Sequence, residues 1–261
     1  MRLKVLHYCW FGRNAKSDII KKCIESWRKY CHDYEIVEWN EDNFDVNCCD
    51  YVREAYQTKK WAFVSDYCRF WVLYNYGGIY LDTDVEIIKP IDDLPDNFLG
   101  FENGTTCNSG LIRGALQKDK ICQLMLESYH NDRFIKENGE LNVKTVCERE
   151  TEIFETFGLK RNGQMQVVQD TTIYPSEYFS PKDYITGKLE ITNKTISIHH
   201  YDASWYDEED KLAVELRQKY SKFLPKKIAL RMASFVATKR VRGLKCAIKK
   251  TFSFLKRKKK I

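Results

Sequence analysis

The sequence predicts an α/β fold in which a mixed β-sheet is flanked by helices. Short apolar segments that suit buried strands alternate with longer segments that suit helices. Apolar residues make up 43% of the 261 residues, which is enough to build a packed core. The length suits one large domain, or one domain with an appendage, and no internal repeat is visible.

The first predicted elements are a strand, a helix and a second strand. Residues 3–8 are predicted to form a first buried strand, and Ser17 then stands at the N-cap of a predicted helix. Apolar side chains mark one face of that helix: Ile19, Ile20, Cys23, Ile24, Trp27 and Tyr30. Residues 34–39 alternate as a strand does, and a short helix is predicted near residues 52–56.

The rest of the chain is organised around residues 61–86. Residues 61–76 lack Gly and Pro and are apolar on most sides, which predicts a buried helix. Gly77 and Gly78 are expected to end it, because glycine readily takes the left-handed conformation after a helix. Residues 79–81 are short and apolar, as a buried strand is.

Two acidic residues directly follow this predicted strand. Asp82 and Asp84 point the same way if the strand continues, because strand side chains repeat with a period of two. Such a pair is costly unless a cation lies between the carboxylates, and oxygen ligands suit magnesium or manganese. On the preceding helix, Asp66 and Arg69 share a face. They either bind a polar ligand or form an internal ion pair that serves the fold.

Further elements are predicted downstream. The strands are at 85–88, 98–101, 111–112, 167–168, 171–174 and 195–200, and the helices are at 118–130 and near 143–157. In α/β sheets, ligands bind beyond the C-terminal ends of the strands. Trp10, Asp82 and Asp84 all follow predicted strands, so we expect one crevice to hold them.

Charge is distributed unevenly along the chain. Residues 226–261 hold fourteen Lys or Arg and no acidic residue, whereas residues 1–225 carry a formal charge of −8. Apolar residues of this tail share a helical stripe: Leu230, Ala237, Val241, Leu244, Ile248, Phe252 and Leu255. A basic amphipathic helix is typical of segments that bind anionic membranes. The alternative is a solvated helix that packs on the domain. Nucleic acid is not expected as a partner, because the body of the chain is acidic.

These patterns predict two domains and a location. Residues 1–225 would form the catalytic domain, and residues 226–261 the basic helical tail. No secretory signal or membrane-spanning segment is predicted, and the ten scattered cysteines suit reduced thiols, with a zinc site as the minority alternative. We therefore expect a cytoplasmic protein bound peripherally to the inner face of the cell membrane.

Three motifs resemble one known family. They are Leu6-His7-Tyr8-Cys9-Trp10-Phe11-Gly12, Ser65-Asp66-x-x-Arg69 and Tyr76-Gly77-Gly78-Ile79-Tyr80-Leu81-Asp82-Thr83-Asp84. Their order and spacing over roughly residues 1–115 resemble glycosyltransferase family 32, the bacterial capsule and yeast mannosyltransferase type, and the related large glucosylating toxins. The later segment His199-His200-Tyr201-Asp202-Ala203-Ser204-Trp205 resembles the family's closing H-x-x-x-S-W segment.

The resemblance implies the GT-A nucleotide-diphospho-sugar transferase fold and a metal-dependent, retaining reaction. The donor would be a UDP-sugar carrying galactose, glucose or an N-acetylated relative, and the cofactor would be Mn²⁺ or Mg²⁺. The acceptor would be a glycan, lipid-linked, in bacterial capsule, exopolysaccharide or O-antigen synthesis. Front-face substitution is the preferred mechanism, because no residue identifies itself as a covalent nucleophile.

The same resemblance implies roles for the residues of the motifs. Trp10 would stack on the nucleobase, with Tyr8 and Phe11 also at the substrate. Asp66 and Arg69 would hold ribose and sugar hydroxyls.

A metal centre is implied at the D-x-D. Asp84 would bind the metal directly, Asp82 would bind ribose or a metal-bound water, and Arg69 would complete the catalytic set. Period-two alternation places only one of His199 and His200 in the crevice, and His200 is preferred as the metal residue.

Three residues are implied at the diphosphate: Tyr80, Ser204 and Trp205. Asn108 and Ser109, on a loop after the metal strand, are candidates for contacts with the transferred sugar or the acceptor. Glu102 is a weaker candidate for the same contacts.

The chain departs from the family at residues 145–158. Many members have Thr-Gly-Pro there, whereas this chain has Glu150-Thr151-Glu152-Ile153, which leaves the choice of acceptor open.

Two other functions use the same residues. A haloacid-dehalogenase-like phosphotransferase also has a D-x-D after an apolar strand, but it needs Thr or Val where Glu86 stands. A non-catalytic membrane adaptor is the other alternative. The complete set of Asp66, Arg69, Asp82 and Asp84 argues against it.

Overall fold

The computed structural model describes residues 3–202 and 208–257, with side chains described up to residue 251. The chain divides into two compact units. The first is Met1–Pro181 with Glu190–Asp202, and the second is Lys182–Leu189 with Ala203–Ile261. The predicted boundary between residues 225 and 226 lies within the second of these units.

Strands in the described residues are β1 (Val5–Cys9), β2 (Glu35–Trp39), β3 (Gly78–Tyr80), β4 (Val85–Ile87), β5 (Phe98–Gly100), β6 (Arg113–Ala115), β7 (Gln166–Val168), β8 (Thr171–Tyr174) and β9 (Ser197–His199). Seven of them form one mixed sheet in the order β2-β1-β3-β6-β5-β8-β7, and β4 pairs with β9 in a separate antiparallel ribbon.

The strand directions bring most strand ends that could bind a ligand to one edge of the sheet. β1, β2, β3, β5 and β8 run the same way, whereas β6 and β7 run against them. The C-terminal ends of five strands and the N-terminal end of β6 therefore lie at one edge. In α/β sheets this is the edge at which ligands bind.

The helices of the first unit are α1 (Asp18–Tyr30), α2 (Asp50–Gln57), α3 (Trp61–Tyr76), α4 (Lys120–His130), α5 (Val146–Thr156) and α6 (Ser176–Phe179). They cover both faces of the sheet, as neighbouring strand residues show. Ile79 and Phe98 belong to the hydrophobic cluster that includes α1, whereas Tyr80 and Leu99 belong to the cluster that includes α2 to α5. The predicted α/β class, a mixed sheet flanked by helices, is confirmed.

Helix α3 ends where the sequence predicts. Its last residue is Tyr76, and Gly77 follows with φ of 69°. Gly78 also has a positive φ, of 99°, so both glycines take backbone conformations that other residues rarely adopt. A Cβ on Gly77 would lie 2.8 Å from the Gln117 nitrogen, so only glycine fits between the helix and the strand.

The second unit contains α7 (Glu208–Tyr220), α8 (Lys226–Arg242) and α9 (Leu244–Arg257). The predicted single tail helix is wrong, because Gly243, with φ of 85°, separates two helices. Buried Glu209 on α7 accepts hydrogen bonds from Thr238 and Lys250 at 2.6 and 2.7 Å and pairs with Arg242. One carboxylate thus links all three helices.

The buried face of α8 also differs from the predicted stripe. It consists of small residues four apart, Ala229, Ala233 and Ala237, with Thr238 beside them. Of the predicted stripe, Leu230, Val241, Leu244 and Ile248 are exposed, and Ala237 is buried.

All ten cysteines are among the described residues, and each is a free thiol. Within the described chain, none of the helices combines the length and the apolar character required to span a bilayer.

Candidate active site

Several predicted residues meet at the edge where the parallel strands end. Trp10 follows β1, Asp82 follows β3 by two residues, and Glu102 follows β5 by two. The loop at residues 107–110, named here the Asn108 loop, leads into β6 and reaches the same edge. The expected crevice therefore has a structural basis in the sheet topology.

Arg69 lies between two carboxylates. Its Nη2 is 2.8 Å from Asp66 Oδ1 and 3.2 Å from Asp82 Oδ1. The Tyr80 hydroxyl donates to the same Asp82 oxygen at 2.9 Å, and the guanidinium stacks 4.9 Å from the centre of the Tyr80 ring. Burial raises the pKa of Asp66 to about 7, although the nearby Arg69 opposes the rise.

Gly110 allows the Asn108 loop to approach Asp82 closely. The Asp82 N–H donates to the Gly110 carbonyl at 2.9 Å. A Cβ on Gly110 would lie 2.0 Å from Asp82 Oδ2 and 2.9 Å from Arg69 Nη1, so any larger residue would displace them. Sequence reasoning missed this role, although a glycine directly after Asn108 and Ser109 was a visible signal.

The two aspartates of the D-x-D do not share one face. β3 ends at Tyr80, and the chain turns before β4, with the Val85 N–H donating to the Asp82 carbonyl at 3.1 Å. The expectation of a continuing strand is therefore wrong. Asp82 faces α3, whereas Asp84 faces β9.

Asp84 is held by the segment around β9. His199 Nε2 lies 3.1 Å from Asp84 Oδ1, and the Asp202 N–H donates to Asp84 Oδ2 at 2.8 Å. Burial alone would raise the pKa of Asp84, but His199 and these hydrogen bonds lower it to about 2. Asp84 is thus a carboxylate at neutral pH.

His199, and not His200, is the histidine beside the D-x-D. The β4–β9 ribbon pairs Val85 with His199, which brings the His199 side chain to Asp84. His200 Nε2 lies 2.8 Å from Glu86 instead. The preference for His200 is therefore corrected: alternation applies, but the register of the ribbon selects the other residue.

The N-terminal aromatic residues occupy different environments. Trp10 is half-buried, donates from Nε1 to the Asn14 carbonyl at 2.8 Å, and has the Lys16 ammonium 5.3 Å from its ring. Tyr8 donates its hydroxyl to Glu38. Phe11 is buried against Phe44, so the structure places it in the core and not in the crevice.

The Asn108 loop uses its polar side chains internally. Asn108 Nδ2 donates to Glu102 Oε1 at 3.0 Å, and its Oδ1 accepts from the Gly110 N–H at 2.7 Å. Ser109 is fully buried, so its side chain lies behind the crevice surface. Ser204 and Trp205 lie outside the described residues.

Tyr201 is a further neighbour that sequence reasoning missed. Its ring centre lies 4.2 Å from that of His199, and its hydroxyl is 2.8 Å from Ser180 Oγ. Its φ of 56° is unusual for an aromatic residue. Tyr201 stands within the predicted closing segment at 199–205, but the sequence assigned it no role.

The part of the chain that carries these motifs matches a known protein family. Residues 17–99, which contain Asp66, Arg69 and the D-x-D, match the family described as "Glycosyltransferase sugar-binding region containing DXD motif". This part of the chain therefore matches the sugar-binding region of DXD glycosyltransferases. No curated protein matches the chain.

Three solved glycosyltransferases are similar to this chain in structure. PaToxG glycosyltransferase has 20% identity and a TM-score of 0.48, over 59% of this chain and 68% of that chain. A glycosyltransferase involved in the glycosylation of the major capsid of PBCV-1 has 11% identity and a TM-score of 0.43, over 84% and 99%. The galactosyltransferase LgtC, in complex with donor and acceptor sugar analogs, has 12% identity and a TM-score of 0.41, over 85% and 98%.

The carboxylate oxygens of the D-x-D are of the kind that suits a hard divalent cation. The Asp82 and Asp84 side chains are 29% and 14% exposed, so both are partly accessible to solvent. Within the described residues, no group of three or more His, Cys, Asp or Glu is arranged to hold a metal ion. Mg²⁺-like cations usually take one or two carboxylates together with substrate phosphates. A cation held here by Asp82 and Asp84 would therefore need further ligands, such as the phosphates of a substrate.

Proposed function

We propose that this chain is a glycosyltransferase that moves galactose, glucose or an N-acetylated relative from a UDP-sugar to a lipid-linked glycan, with retention of configuration. The product would enter bacterial capsule, exopolysaccharide or O-antigen synthesis at the inner face of the membrane. Mn²⁺ or Mg²⁺ would be the cofactor. The proposal rests on the DXD family match together with the motif resemblance of residues 6–12 and 199–205.

One observation carries the chemistry: the carboxylates of Asp82 and Asp84 stand at the ligand-binding edge, and both are partly exposed. Asp66 and Asp82 share the Arg69 guanidinium, and Asp84 lies beside His199. A diphosphate would be repelled by such a site without further positive charge. A bound divalent cation would offset the charge that develops on the departing nucleoside diphosphate.

The chain's own residues would hold and orient the donor. Arg69 and Tyr80 fix Asp82 through the same oxygen, and His199 with the Asp202 N–H fixes Asp84. Both carboxylates are thus oriented before the donor arrives, which reduces the entropy lost on binding. The half-buried Trp10 ring would stack on the nucleobase.

The acceptor would bind beside Glu102 and Asn108, which are already hydrogen-bonded to each other. In front-face substitution, the bond from the anomeric carbon to phosphate breaks as the acceptor oxygen bonds to the same face. The departing phosphate takes the hydroxyl proton of the acceptor. Glu102 would orient that hydroxyl and would not form a covalent bond.

The second unit would attach the enzyme to an anionic membrane. Exposed apolar side chains on and beside α8 and α9 lie among the basic residues: Phe223, Ile228, Leu230, Met232, Val241, Leu244 and Ile248. Apolar insertion together with basic charge is the combination that anionic bilayers attract.

Binding of the donor product tests the site directly. UDP at about 100 times its Kd, in the presence of Mn²⁺, should stabilise the folded protein by about 2.7 kcal/mol. The melting temperature should then rise by several degrees, and UDP with EDTA should raise it far less. A melt unchanged by Mn²⁺ and UDP would contradict the proposed function.

A further inference from the structure

Helix α5 carries two adjacent polar side chains that are fully buried. Glu150 and Thr151 are both 0% exposed, and so is Arg113, whose Nη1 donates to Glu150 Oε1 at 2.6 Å. A buried ion pair is often no more stabilising than apolar side chains of the same volume. Stability alone therefore does not account for a charged residue at this position.

Both side chains hold the backbone of the Asn108 loop. The Cys107 N–H donates to Thr151 Oγ1 at 2.9 Å, and the Ser109 N–H donates to Glu150 Oε2 at 3.1 Å. Two alternate N–H groups of one short loop are thus fixed by two neighbouring residues of one helix.

The geometry of each acceptor is itself determined. The Thr151 hydroxyl donates to the Cys147 carbonyl of its own helix at 2.6 Å, which leaves its oxygen as the acceptor for the loop. Arg113 holds one Glu150 oxygen and also donates to Asp119 at 3.2 Å, which leaves the other Glu150 oxygen for the loop.

The far end of the loop determines where Asp82 can lie. The Gly110 carbonyl accepts the Asp82 N–H at 2.9 Å, and the Gly110 Cα approaches the Asp82 carboxylate so closely that a Cβ there would be 2.0 Å from Oδ2. A shift of the loop toward Asp82 would displace the carboxylate, and a shift away would break the hydrogen bond.

We propose that Glu150 and Thr151 are positioning residues that act through the Asn108 loop to hold Asp82 in its metal-binding orientation. This inference rests on the proposed function, because it assumes that Asp82 serves a divalent cation. It also gives a role to the segment in which the chain lacks the Thr-Gly-Pro of related sequences.

Three variants of α5 test the proposal. Thr151→Val removes the acceptor with little change of shape, Thr151→Ser keeps it, and Thr156→Val removes an exposed hydroxyl that bonds only within α5. The measurement is Mn²⁺ affinity by titration calorimetry in saturating UDP, together with kcat and KM for the donor.

We expect Thr151→Val to weaken Mn²⁺ binding about tenfold and to lower kcat, because residues that orient a metal ligand typically have effects of this size. Thr151→Ser should restore both, and Thr156→Val should match wild type. The proposal is overturned if Thr151→Val binds Mn²⁺ as wild type does, or if Thr151→Ser is as impaired as Thr151→Val.

Gly110→Ala provides a second test that leaves α5 intact. The added Cβ should displace Asp82 and weaken Mn²⁺ binding at least as much as Thr151→Val does. If Gly110→Ala binds Mn²⁺ with wild-type affinity, the proposal is overturned. This test remains decisive even if Thr151→Val does not fold. Wild-type protein that binds no Mn²⁺ would contradict the proposed function itself. Wild-type binding with unaffected variants would contradict this inference alone.

Discussion

Arg69 links helix α3 to the end of β3 through a 3.2 Å ion pair between its Nη2 and Asp82 Oδ1. The same nitrogen lies 2.8 Å from Asp66 Oδ1, so one guanidinium serves two carboxylates. The pair Asp66–Arg69 is therefore an internal ion pair that also contacts the D-x-D through Asp82.

Arg69→Lys should impair both stability and donor binding. A lysine carries the charge but lacks the planar fork, so it cannot meet both carboxylates as the guanidinium does. We expect a loss of about 1–3 kcal/mol in the free energy of unfolding, because buried charged partners are left incompletely paired, and a higher donor KM.

Arg53→Lys is the matched control for that variant. Arg53 also pairs with an aspartate three residues earlier, Asp50, but both side chains are more than a third exposed. Exposed pairs contribute little, so urea unfolding and donor kinetics should match wild type. Equal losses in the two variants would show that Arg69 has no special role.

The adjacent histidines should differ in their effect on the metal. His199→Asn removes the group that contacts Asp84, whereas His200→Asn removes a contact to Glu86. We expect the first change to reduce Mn²⁺ affinity about 10- to 100-fold. The second should leave it within about twofold, and calorimetry in saturating UDP measures both. A larger effect of His200→Asn would reverse this assignment.

His7 should make stability depend on pH. It is buried, its Nδ1 accepts from Trp39 Nε1 at 3.1 Å, and its Nε2 lies 3.0 Å from the Gly77 carbonyl. Burial lowers its pKa from 6.5 to about 4, although the Gly77 carbonyl opposes this. Between these values the unfolded chain binds a proton that the folded chain does not, so stability is lost as the pH falls.

The size of that loss is measurable by urea unfolding. Going from pH 7 to pH 4.5, His7 should cost about 2 kcal/mol. The His7→Gln variant should be less stable than wild type at pH 7. On acidification, however, its free energy of unfolding should fall by about 2 kcal/mol less than that of wild type. The exposed His32→Gln serves as the control and should follow wild type. Parallel curves for wild type and His7→Gln would contradict the prediction.

The tail should bind anionic vesicles. Reversing three basic residues of α8 (Arg231→Glu, Lys239→Glu and Arg240→Glu) should abolish sedimentation with phosphatidylserine-containing vesicles, because each basic residue near such a surface contributes about 1 kcal/mol. Lys211→Glu with Lys219→Glu on α7 is the control and should still sediment. If wild type bound only neutral vesicles, the proposed attraction between the basic tail and anionic lipid would be excluded.

The sequence predicted local features of the site better than long-range ones. The end of α3 at Gly77 and the facing pair Asp66–Arg69 both follow from helical spacing and glycine's conformational freedom, and both are present. The common edge for Trp10 and Asp82 follows from the general rule for parallel strands.

The errors arose where partners distant in sequence decide the outcome. The choice between His199 and His200 depends on the register of β9 against β4, and the burial of Phe11 depends on Phe44. Neither can be obtained from periodicity along one segment. Gly243 was a local signal for a break in the tail. The apolar stripe and the basic residues on both sides of it nevertheless favoured one continuous helix.

The most direct test is donor hydrolysis by Asp84→Asn beside Glu86→Gln. Asp84 lies in the D-x-D, whereas Glu86 stands two residues later on β4 and pairs with Lys22 and His200. Release of UDP from UDP-glucose, UDP-galactose and their N-acetylated relatives is measured with Mn²⁺ and with EDTA. Wild type and Glu86→Gln should hydrolyse at least one donor in Mn²⁺ and none in EDTA, and Asp84→Asn should lose about 100-fold or more. Mn²⁺-independent hydrolysis, or full activity in Asp84→Asn, would contradict the account.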